Sequence, residues 1–161
     1  MSSQPIKVSD ITAAKKKGDK SFKNGDFASA LDSYLLALDI IDIKKQNKTP
    51  SQLLLKKKLL SNMVAAYTKL EMFPEAVESC QEALRIIPPT GVSPDDEATV
   101  QFHVISNKLQ VRLALAYAGC AVNADCVDSS LESLRLAIAS LVKSIPPQIN
   151  FKRVVYTKSD A

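Results

Sequence analysis

The chain has 161 residues, 46% of them hydrophobic, with no Trp and 4 Gly; this is one domain's worth of chain, able to bury a core without disulfides or metal, and it argues against disorder. The net charge of +4 is unevenly spread: residues 1–70 hold 13 basic against 6 acidic side chains and residues 71–161 hold 8 against 11, which places a basic surface on one part of the molecule. No apolar run is long enough to span a bilayer and the N-terminus lacks the apolar core of a secretory signal, so a cytoplasmic protein is expected, with the nucleus as the other compartment.

Ser9 or Asp10 caps a first helix that runs to about Asn24. Gly25 ends it, and Asp26 caps a second helix from about Phe27 to Lys44. On that helix Phe27, Leu31, Tyr34, Leu38 and Ile41 recur at helical spacing and form a face that must pack on neighbours. Residues 45–50 read as a loop. A third helix spans about Ser51 to Leu70, and Glu71-Met72-Phe73 turns into a fourth, about Pro74 to Ile87, which carries Ala76, Cys80, Ala83 and Leu84. Proline is well tolerated in a first helical turn. Residues 88–95 form a Pro/Gly linker, and Ser93-Pro94-Asp95-Asp96 reads as the capped, acidic start of a fifth helix reaching about Ala121. A last helix, about Cys126 to Ile145, sets Val127, Leu131, Leu134, Ile138, Leu141 and Ile145 on one face. Pro146-Pro147 stops the helical part. The tail, 148–161, is either a free end or a cover for the last helix.

Within the first two helices, Gly18, Phe22, the Gly25-Asp26-Phe27 turn, Ala30, Tyr34 and Ala37-Leu38 resemble a tetratricopeptide repeat, a helix-turn-helix unit with a period of about 34 residues. Ala30 and Ala76 are equivalent positions, so the second unit lags by more than the standard period, the excess extending the loop and the next helix. In the third unit, aligning Tyr117 with Tyr67 leaves Leu134 and Ala137 about four residues late, as in a degenerate repeat with a long first helix. The resemblance implies an all-α, right-handed superhelix of about three helix-turn-helix repeats, with six or seven helices, over residues 1–147 (repeats 10–44, 51–88 and 95–145). It also implies a peptide-binding scaffold rather than an enzyme, with the first helix of each pair lining the groove.

On that placement the groove is basic. Its first helix carries Lys15, Lys16, Lys17, Lys20 and Lys23 against Asp10 and Asp19; its second carries Lys56, Lys57, Lys58 and Lys69 with no acid between Ser51 and Leu70; its third carries Lys108 and Arg112. Most acids fall on the second helices. A basic groove attracts acidic peptides. The chain is further similar to co-chaperone tetratricopeptide domains that clamp the Glu-Glu-Val-Asp C-terminus of cytosolic heat-shock chaperones. That pattern has a Lys three residues before the first repeat's Gly, matched by Lys15. It has an Asn five before the second repeat's aromatic, matched by Asn62, and a Lys-x-x-x-Arg on the third repeat's first helix, matched by Lys108 and Arg112 on one face. Where the pattern has Asn after the Gly, this chain has Asp19. Asn donates a hydrogen bond to a terminal carboxylate, whereas ionised Asp only accepts. The resemblance therefore implies Lys15, Asp19, Asn62, Lys108 and Arg112 at the peptide, with Lys23, Lys58 and Lys69 adding positive field. The alternative is a scaffold that holds an internal segment or helix of another protein.

Other chemistries find no support in the residues. Cys80, Cys120 and Cys126 lack zinc spacing and leave one unpaired in any disulfide scheme, so they read as reduced packing residues. His103 has no catalytic partner pattern. No phosphate loop or nucleophile motif appears, no cofactor or metal is implied, and Lys56-Lys57-Lys58 without interleaved aromatics makes nucleic acid an unlikely ligand. Phe22, Phe27, Tyr34, Tyr67 and Phe73 are expected in the core.

Overall fold

The structure, a computed structural model, describes residues 8–43, 49–88, 96–123 and 127–144. Among these residues there are six helices and no strand: α1 (Val8–Lys23), α2 (Phe27–Ile43), α3 (Pro50–Lys69), α4 (Phe73–Arg85), α5 (Glu97–Val122) and α6 (Val127–Ser144). They form three helix pairs, α1 with α2, α3 with α4 and α5 with α6. The pairs join through α2 on α3, α4 on α5, and α3 on α5. This is the expected all-α array of helix pairs.

Local chemistry sets the boundaries. Asp26 accepts from the Ser29 N–H at 3.0 Å and so caps α2. α1 already includes Ser9 and Asp10, so neither precedes the helix as its cap. The third helix starts at Pro50, inside the expected loop, because Thr49-Pro50-Ser51-Gln52 is a reciprocal capping box with proline in the first turn. The fifth helix starts at Glu97, capped by Asp96, which accepts from the Ala98 N–H. The expected Ser93 cap and Pro94 lie outside the described residues, as do Lys44, Cys126, Ile145 and the tail 148–161.

The turns of the first two pairs repeat one conformation. Gly25 has φ 82° and Glu71 has φ 60°, the two positive values among the described residues, and they stand 46 positions apart, as Ala30 and Ala76 do. Both alanines are fully buried. In the third pair α5 continues for five residues beyond Tyr117, whereas α3 continues for two beyond Tyr67. This added helical turn explains most of the four-residue lag of the last unit.

A continuous core runs from α1 to α5, with Ile11, Tyr34, Ile41, Leu59, Leu60, Val64, Cys80 and Leu109 almost wholly enclosed. Tyr34 and Leu31 are buried as expected, while Phe22, Phe27, Tyr67, Leu38 and Leu84 pack half-buried against the core. Phe22 and Phe27 meet edge to face at 5.1 Å across the first turn. Tight approach between helices depends on missing side chains: a Cβ on Gly18 would stand 2.6 Å from the Tyr34 ring, and one on Gly119 would run into the Phe73 ring.

The last helix departs from expectation. Leu131, Leu134, Ile138 and Leu141, read as its packing face, are all exposed, Ile138 by 63%. α6 instead turns Ala137 and Ser140 inward, each 6% exposed. Small residues let the α5 and α6 backbones approach closely, and the bulky stripe is left on another side of the helix.

Candidate functional site

The first helices of the three pairs, α1, α3 and α5, bring seven of the eight candidate residues together. A cavity of about 290 Å³ is lined by Asp19, Phe22 and Lys23 from α1, Tyr34 from α2, Asn62 and Ala65 from α3, and Lys108 and Arg112 from α5. A cleft of about 200 Å³ shares Asn62 and Lys108 with it and adds Lys15, Lys58, Ser61 and Ile105. Lys69 is the exception: it is exposed in the last turn of α3 and lines neither space.

The two ends of the site differ in electrostatics. At the α1 end Asp19 is the centre of a network. Its Oδ2 accepts from Lys15 Nζ at 2.5 Å, and its Oδ1 accepts from the Tyr34 hydroxyl at 2.9 Å and from Asn62 Nδ2 at 3.1 Å. Burial, together with the hydrogen bond to Asp19 and its charge, pushes the Tyr34 phenol well above its ordinary range, so it remains a donor. This end therefore carries an ammonium and a carboxylate in contact.

At the α5 end no carboxylate among the described residues is paired with the cations, although Asp19 lines the same cavity. Lys108 and Arg112 lie one turn apart, and Lys108 is held below its ordinary pKa, first by the Arg112 charge and then by burial. Burial also lowers Arg112. The Arg112 guanidinium donates to the Ser61 carbonyl and, at 2.8 Å, to Ser61 Oγ, which fixes its position on α3. Among the described residues neither Lys108, Arg112 nor Lys23 forms an ion pair. Lys58 donates to Gln101 Oε1 at 2.6 Å, so it is tethered by a neutral group and keeps its charge uncompensated.

The lysine run on α3 does not act as one patch, a correction to the sequence reading. Successive helical residues point about 100° apart, so the three face three ways. Lys56 turns away from the cavity and bridges Asp42 of α2 at 3.0 Å and Glu82 of α4 at 2.9 Å. Lys57 enters the core at 1% exposure, donates to the Ile86 carbonyl at 2.8 Å and lies 5.6 Å from the centre of the Phe102 ring. Only Lys58 reaches the cleft.

Sequence reasoning missed Ser61 and the hydroxyl of Tyr34. The signal for the latter was present: a buried tyrosine, unlike phenylalanine, needs a partner for its hydroxyl. Elsewhere the chemistry is quiet. Cys80 is enclosed, its thiol pushed up to about 12 by burial, and Cys120 is also raised by burial. His103 is exposed on α5. Among the described residues there is no cluster of potential metal ligands and no helix long and apolar enough to cross a membrane.

Compared with protein-family models, curated proteins and solved structures, the chain gives no match. The functional reading rests on the geometry of the site.

Proposed function

We propose that this protein is a non-catalytic interaction module whose basic groove, along α1, α3 and α5, binds acidic peptides, in the manner of a cytoplasmic co-chaperone or adaptor. The observation that carries the reading is the Lys108–Arg112 pair. Two neighbouring cations with no ion-pair partner among the described residues, Lys108 exposed and Arg112 half-buried, share a groove open to solvent with Lys23. Such a pair is relieved by an anion, and Arg112 presents a pre-positioned fork that suits a carboxylate. Phe22 and Ala65 supply apolar wall between the charges, as a short peptide with one apolar residue among acids requires.

Two ligand classes fit. One is the acidic C-terminus of a heat-shock chaperone, of the Glu-Glu-Val-Asp kind. The other is an internal acidic segment of a partner in a larger assembly, favoured by the Lys15–Asp19 contact, which neutralises one of the cations a terminal carboxylate would use. Affinity in the micromolar range is expected, because ordering a flexible peptide offsets much of the contact energy. Calorimetric titration with an acidic peptide ending in Glu-Glu-Val-Asp, at 50 and 300 mM salt, tests the groove. Binding that weakens with salt and falls at least tenfold in Arg112→Ala supports it. Equal binding in Arg112→Ala with unchanged helicity removes it.

A further inference from the structure

The donors at the α1 end already hold a carboxylate, and it belongs to the protein. An ammonium (Lys15), a side-chain amide (Asn62) and a phenol (Tyr34) converge from three helices on the two oxygens of Asp19. This is the donor set that would receive an anionic group of a ligand. It is rigidly built: Tyr34 is 1% exposed, its ring is seated against Gly18, and its hydroxyl ties α2 to the carboxylate. Asn62 reaches the same oxygen from α3.

We infer that Asp19 is a specificity residue: it occupies the groove's carboxylate position in cis and makes the groove read internal acidic segments rather than free C-termini. The inference rests on the peptide-groove reading above. A second carboxylate brought to Lys15 and Asn62 meets the Asp19 anion at close range, and like charges in a partly buried site repel strongly. The Lys15–Asp19 pair is itself neutral, so it adds no net attraction for a terminus. On the α5 side Lys108 and Arg112 carry two positive charges with no ion-pair partner among the described residues, and Lys23 of α1 adds a third to the same cavity. They grip side-chain carboxylates, which an internal segment offers as well as a terminal one. The chain beyond the acidic residues then has no carboxylate to anchor and continues past the α1 end.

The test uses one acidic peptide ending in Glu-Glu-Val-Asp, as free acid, as C-terminal amide, and extended by Gly-Ser-Gly. Each is titrated calorimetrically into the wild-type chain and into Asp19→Asn. Asn is isosteric, still accepts from the Tyr34 hydroxyl, and removes the negative charge. In the wild type the three peptides should bind within about twofold of one another, the small difference reflecting one screened charge. In Asp19→Asn the free acid should gain about tenfold over the amide and the extended form, as expected for a charge-assisted hydrogen bond regained. The side-chain amide resonance of Asn62 should stay in place when wild type is titrated and shift when Asp19→Asn takes up the free acid; a purely structural role for Asp19 would produce no such contrast.

A tenfold preference of the wild type for the free acid overturns the inference whatever the variant does, so it remains testable should Asp19→Asn fold poorly. An unchanged acid-to-amide ratio in a folded Asp19→Asn also overturns it while leaving the groove reading standing. Absence of binding by all three peptides to both proteins overturns the groove reading, and this inference with it.

Discussion

Gly18 shows how much one side chain controls. The Tyr34 ring lies where a Cβ would be, so Gly18→Ala must push α1 away from α2 or expel the ring. Overpacking of this kind costs about 1–3 kcal/mol. A chemical denaturation midpoint unchanged by the substitution would contradict the close approach. Glu71 offers the opposite case. Its φ of 60° is the left-handed conformation that Gly25 adopts freely at the equivalent turn. Glu71→Gly should stabilise the fold by a few tenths to about 1 kcal/mol, since relief of the Cβ strain outweighs glycine's greater unfolded entropy. Urea unfolding of the two proteins checks the sign. Lys57 gives a pH dependence. Burial pushes its pKa down to about 8 from 10.5, so above pH 8 the folded chain sheds a proton that the unfolded chain keeps, and stability rises with pH. Cys80, raised to about 12 from 9.0, and Cys120, raised as well, oppose this as pH approaches 9, because the unfolded thiols ionise first. Between pH 7.5 and 8.5 a net gain of a few tenths of a kcal/mol is expected. Lys57→Met should abolish the gain and leave a flat or falling profile.

At the scale of the element, α3 and α6 mark the two extremes. α3 is buried on several sides, with Leu59, Leu60, Met63, Val64 and Ala66 enclosed and Lys56, Lys57 and Lys58 sent in three directions. Leu60→Ala should cost about 2–5 kcal/mol, as for other enclosed leucines. α6 turns only Ala137 and Ser140 fully inward among its described side chains. Ile138→Glu should therefore change stability by no more than about 0.5 kcal/mol, and a loss above 2 kcal/mol in thermal unfolding would mean that this face is covered in solution. Apolar periodicity announced α6. It did not say which stripe of α6 packs, because Leu131, Leu134, Ile138 and Leu141 form a better apolar face than the alanine and serine that are buried. Helix approach selected small residues over hydrophobic ones.

Across the whole molecule, stacked pairs share one core from α1 to α5, and each pair is stabilised by its neighbours. The middle pair has a neighbour on both sides, and α6 has the least enclosed surface. Amide exchange should therefore be slowest in α3 and fastest, among the helices, in α6, with the difference visible by mass spectrometry at peptide resolution. The same stacking assembles the groove. Asp19, Asn62 and Arg112 are far apart in the chain and meet because α1, α3 and α5 are successive first helices on one side. Were α1 or α5 to detach, the salt-dependent binding proposed for the groove should be lost while the middle pair keeps its helicity.

Sequence alone determined the helical class and the order of the helices. Spacing of apolar residues, turn glycine and capping acids are local signals, and local signals survive in a linear string. It also brought Lys15, Asp19, Asn62, Lys108 and Arg112 to notice, through the resemblance to the clamp pattern of co-chaperone tetratricopeptide domains. What tertiary structure decided is how their charges are spent. Whether Lys15 is free or neutralised by Asp19, whether Lys57 faces solvent or the core, and whether Arg112 hangs loose or is fixed by Ser61 all depend on distances between helices. Those distances follow from close approaches such as Tyr34 on Gly18, set by packing among residues remote in the chain.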